Sequence, residues 1–131
     1  MVNPTILDHL RRRIPGLIAV YQFGSQVRGS ARPESDVDIA VLAREPMTNS
    51  ARFDIAQDLA VTLHRDVDLI DLQATSTVMR MQVLSNGICL DSLDDQARRT
   101  FEMYAYADYA RLNEERRDIV KGIAARGLVY G

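Results

Sequence analysis

The chain has 131 residues, 47% of them hydrophobic and 26% charged, with a net charge of −2. That balance is the signature of one globular domain large enough to bury a core, rather than of a disordered chain. The longest apolar run, "GLIAVY", is far short of a bilayer span. The near-neutral charge lacks the basic footprint of a nucleic-acid binder. A single cysteine, Cys89, excludes an internal disulfide and fits a reducing, cytoplasmic setting.

In "MVNPTILDHLRRR" the positive charges follow the apolar residues, the reverse of a secretory signal. Asn3-Pro4 opens a helix as cap and first residue. Ile6, Leu7, Leu10 and Ile14 carry its apolar stripe, and Pro15-Gly16 stops it. Arg11 to Arg13 form a solvated basic face. "LIAVYQF" (17–23), β-branched and aromatic between two glycines, predicts a buried strand, and "VDIAVLA" (37–43) a second. Between 50 and 63 the residues Phe53, Ile55, Ala56, Leu59, Ala60 and Leu63 repeat at helical spacing. "DVDLIDL" (66–72) predicts a third strand. Thr75-Ser76 opens another helix, with Ser76 as cap and Asn86-Gly87 as a left-handed stop. "ICL" reads as a short edge strand, and a long helix follows from about 93 to 121. The expected fold is α/β (α+β): a small mixed sheet flanked by helices.

The stretch "FGSQVRGSARPESDVDIAVL" carries the chemistry. Asp36 and Asp38 flank Val37, so their side chains leave one face of the second strand. The third strand supplies Asp66, Asp68 and Asp71, one of which an adjacent pairing would bring beside that pair. Carboxylates gathered at one spot repel one another without a cation. Mg²⁺ suits them, because it takes hard oxygen ligands and shares them with phosphates. Two such ions can hold the attacking and leaving oxygens of a phosphoryl displacement. Gly24 has no Cβ and lets backbone approach a phosphate closely. Ser25 offers hydroxyl and N–H donors, and Arg28 a charge-assisted contact. One strand end would thus hold a triphosphate, and the next strand start the metal that bridges it.

A Gly-Ser pair, ten intervening residues and Asp-x-Asp resemble the signature of the DNA polymerase β-type nucleotidyltransferases. The form "FGSxxRGxxxxxSDxDIAVL…DVDLIDL" is similar to the minimal, MntA-type antitoxins of that superfamily, over about residues 14–93. The resemblance implies a polymerase β-like fold in one domain, 1–131, with its core at about 14–93. It implies Mg²⁺-dependent transfer of AMP from ATP to a tyrosine of a partner HEPN-domain toxin ribonuclease, in a hetero-oligomeric complex. Gly24, Ser25 and Arg28 would bind the nucleotide, and Asp36 and Asp38 the metal. The third carboxylate falls to Asp68, which would also deprotonate the acceptor. Asp66 sits at the strand's entrance, and Asp71, of opposite parity, would serve structure.

Two other readings share the motif: transfer to a small hydroxylated molecule, and an antitoxin that neutralises by binding alone. His9 and His64 read as surface residues, with no partner at zinc-ligand spacing. Cys89 reads as a small buried hydrophobe. On the last helix, Phe101, Tyr104, Ala105 and Leu112 form the stripe expected to dock on the sheet. Tyr106 and Tyr109 lie off it, on a surface suited to a partner.

Overall fold

A computed structural model describes residues 4–24 and 36–125. Ser25, Arg28 and Ser35 lie outside the described residues, as does Asn3. The described residues form four helices and four strands, in the order α1 (Pro4–Arg13), β1 (Leu17–Phe23), β2 (Val37–Ala43), α2 (Asn49–Leu63), β3 (Val67–Asp71), α3 (Thr77–Asn86), β4 (Ile88–Ser92) and α4 (Asp95–Ala125). The expected elements are all present. The last helix starts two residues later and runs four further than the sequence pattern suggested.

The strands form one mixed sheet in the order β3-β2-β1-β4. β1 pairs antiparallel with both β2 and β4, while β2 and β3 run parallel. A parallel pair needs a crossover, and α2 supplies it. Thr48 starts that helix, its side chain accepting from Ala51 N–H at 3.1 Å. His64 ends it in the left-handed region, with φ 55° and its N–H on Ala60 O. Ser76 caps α3 as expected, accepting from Met79 N–H at 3.1 Å.

Each strand alternates between two cores. Val37, Ile39, Val41 and Ala43 face Ile6, Leu10 and Ile14 of the N-terminal segment and Ile55 and Leu59 of α2. Ala40 and Leu42 face the other way, with Tyr21, Leu72 and Val83, against Ala97 and Phe101 of α4. Both faces of β1 and β2 are therefore covered, which explains why their sequences read as nearly continuous apolar runs.

Five local expectations are corrected. Gly87 is extended, φ −91° and ψ 178°, not left-handed. Its glycine is required by close approach instead, since a Cβ there would collide with Val83 O and lie 2.8 Å from Gln22 O. Cys89 is exposed on the edge strand β4 rather than buried. Phe53 and Tyr104 are exposed although the helical stripes had placed them inward. His9 is half-buried rather than a surface residue, and its Nε2 has no hydrogen-bond partner among the described residues.

Candidate active site

Three adjacent strand ends meet at one edge of the sheet. β1 finishes at Phe23, whose register partner is Asp38 near the start of β2. On the other side of β2, Asp38 stands directly opposite Asp68 of β3. The parallel register thus places two carboxylate-bearing residues on neighbouring strands, about 4.8 Å apart in the pairing direction. Their parity sets both on the face that carries Ala40 and Ile70. Asp36, just ahead of β2, is exposed, Asp68 is exposed and Asp38 is half-buried.

Gly24 closes the β1 side. It has φ +79°, which side-chain-bearing residues rarely adopt. An ideal Cβ on it would lie 2.9 Å from Asp38 Cγ and collide with the carboxylate oxygen. The Asp38 carboxylate therefore packs into space that only glycine leaves, which couples the glycine of the motif to its second aspartate.

The other two acidic residues of β3 are accounted for by structure. Asp71 is buried, and its carboxylate accepts from Met47 N–H at 2.7 Å and Gln73 N–H at 3.0 Å. It ties the ends of β2 and β3 together. Asp66 is exposed, and its main-chain carbonyl accepts from Val37 N–H at 2.9 Å, starting the β2/β3 ladder.

Among the described residues no three acidic, histidine or cysteine side chains converge closely enough to cage a cation. Asp36, Asp38 and Asp68 share one end of the sheet without closing around a point. Such an open, all-carboxylate donor set fits Mg²⁺, which keeps several ligands from water and substrate phosphates. A polar hollow of about 220 Å³ adjoins Asp68 along the free edge of β3. Arg52 of α2 lines it, donating to Leu69 O at 3.1 Å. The sequence offers no sign of Arg52: only the crossover of α2 brings it to that edge. A wider cleft, about 550 Å³, lies at the opposite end of the sheet between Leu42 and Phe101 and holds none of the candidate carboxylates.

A mixed sheet with a glycine-terminated strand beside an Asp-x-Asp strand and a third aspartate in register is the architecture of a nucleotidyltransferase. Residues 5–96 match the model of the polymerase β nucleotidyltransferase family, and the chain belongs to that family. It is 41% identical over 124 residues to the protein adenylyltransferase MntA of Shewanella oneidensis, covering 92% of this chain and 86% of that one. A crystal structure of a toxin-antitoxin with AMP-PNP contains a chain that superposes with a TM-score of 0.83 at 38% identity, over 94% of this chain and 99% of that one. The structure of the tri-AMPylated Shewanella oneidensis HEPN toxin in complex with MNT antitoxin gives 0.77 at 37% identity, over 92% and 94%. Among the described residues, no helix is long and apolar enough to cross a membrane.

Proposed function

We propose that this chain is the antitoxin of a HEPN/MNT pair. It transfers AMP from ATP to a tyrosine of a partner HEPN toxin ribonuclease and so inactivates it, in a hetero-oligomeric complex in the cytoplasm. Residues 1–131 act as one minimal nucleotidyltransferase domain. The observation that carries the reading is the alignment of Gly24, Asp38 and Asp68 across three neighbouring strand ends. The likeness to MntA supplies the acceptor class.

Gly24 and Ser25 orient the β and γ phosphates, and Arg28 adds a charge-assisted contact to the nucleotide. Asp36, Asp38 and Asp68 would hold Mg²⁺, with two ions expected, and the metal would neutralise phosphate charge and polarise the α-phosphate. Asp68 accepts the tyrosyl proton. A bond forms between the tyrosyl oxygen and the α-phosphorus, the bond from that phosphorus to the bridging oxygen breaks, and pyrophosphate leaves.

Intact-protein mass spectrometry of the partner toxin, incubated with this chain, ATP and Mg²⁺, tests the reading. The toxin should gain mass in whole AMP units. Asp36→Ala/Asp38→Ala should abolish the gain, and Asp68→Asn should slow it at least about a hundredfold. A stable complex with no mass gain for any version would leave an antitoxin that acts by binding.

A further inference from the structure

The reaction has a direction across the sheet. An in-line displacement puts the entering oxygen opposite the leaving pyrophosphate. With the triphosphate at the end of β1, beside Gly24, the acceptor must come from the far side of Asp38. Asp68 stands there, and β3 is the outermost strand on that side. The neighbouring hollow at Asp66, beside the end of α2, does not include Asp68, whereas Asp68 itself lines a hollow of about 220 Å³ that runs past Leu69 and Asp71 to Ala74 and Thr75. Its floor follows four residues of strand, about 10 Å of chain.

The polar groups of this hollow are not all committed. Asp71 is spent on two main-chain N–H groups. Arg52 is pinned by one Nη1 donor to Leu69 O, and no carboxylate pairs with it among the described residues. A guanidinium carries five N–H donors, so a fixed cation with spare donors stands beside the aspartate that takes the acceptor's proton. Asn49 and Thr75 add polar side chains to the same lining. The volume is too small for a folded element and suits a narrow, extended chain.

We propose that this hollow is the acceptor subsite. It receives an extended polypeptide segment flanking the target tyrosine, whose main-chain carbonyls bond to the spare Arg52 donors, and it delivers the tyrosyl oxygen to Asp68. The inference rests on the adenylyltransferase reading and deepens it. Arg52 is then a positioning residue: it fixes the acceptor and takes no part in nucleotide binding.

Steady-state transfer to the purified partner toxin, with acceptor and ATP varied separately, tests this. Arg52→Gln should raise KM for the toxin about tenfold, the worth of one charge-assisted hydrogen bond. Its kcat and its affinity for AMP-PNP should stay within about threefold, and Arg52→Lys should restore part of the loss. Because Arg52 also holds Leu69 O, a second variant leaves that bond alone: Ala74→Trp plugs the hollow from an exposed position and should raise the same KM. Unchanged KM for the toxin in both variants overturns the inference while leaving AMP transfer intact. Loss of AMP-PNP affinity equal to the loss of toxin affinity also overturns it, by assigning Arg52 to the nucleotide. Absence of transfer by the unaltered protein removes the adenylyltransferase reading itself, and this inference with it.

Discussion

Gly24 concentrates the chemistry of the motif in one backbone position. Its φ of +79° and its contact with Asp38 impose two separate demands, and alanine meets neither. Gly24→Ala is expected to cost about 1–3 kcal/mol in backbone strain and displacement. Its larger effect is on turnover, because the Asp38 carboxylate must move from its place between β1 and β3. AMP transfer should fall at least about a hundredfold while the circular dichroism spectrum stays native. Asp71 is the contrasting case. The same residue type, three positions after Asp68, is buried and bonded to two backbone amides, so it serves the join between strands and not the site.

At the scale of elements, the least expected feature is how α4 is fastened. This 31-residue helix is about 46 Å long, yet among its residues of described burial only Ala105 is buried, and Phe101 packs on the sheet-side core. Polar groups do the rest. The Tyr21 hydroxyl donates to Glu102 Oε2 at 2.7 Å, and Arg98 Nη1 donates to both Glu102 oxygens at 3.0 and 3.2 Å. Burial and the Glu102 hydrogen bond hold the Tyr21 phenol above its ordinary range, so it remains a donor. Arg80 adds a cation–π contact, 5.1 Å from the Phe101 ring centre. Glu102→Ala strands two donors at once and should cost about 1–3 kcal/mol. A melting temperature lower by roughly 4–10 °C would register it, whereas Tyr21→Phe, which leaves the Arg98–Glu102 pair intact, should cost less. Beyond the docked turns, Ile119 and Val120 are exposed.

For the molecule as a whole, the α1 face carries a built-in acid sensitivity. Burial is the main cause holding His9 below its ordinary value of 6.5, Arg13 and Arg12 add to it, and Asp58 opposes it. The folded state therefore binds this proton less readily than the unfolded chain. The stability this contributes is complete above about pH 6.5 and is lost as the pH falls towards the folded-state value. Urea midpoints measured between pH 7 and 5 should drop more steeply for the unaltered protein than for His9→Gln.

The sequence by itself determined the order and type of every element, because alternating strands and capped helices are local consequences of period and punctuation. It also determined the Gly24, Asp36 and Asp38 grouping, since these residues are brought together by a short stretch of chain. Local pattern failed where the outcome depends on what an element packs against. Gly87 is a glycine for the sake of Gln22 O on another strand, and Tyr104 is exposed although its spacing set it on the docking stripe. Parity left Asp66 and Asp68 alike, and the sequence set Asp66 at the strand's entrance. The parallel register adds that Asp68 stands opposite Asp38. Arg52 reached the edge of β3 through the α2 crossover, a contact 17 residues apart in sequence that no periodicity encodes. Residues near in sequence announce their partners through spacing, whereas residues joined by strand pairing are partners only once the sheet has formed.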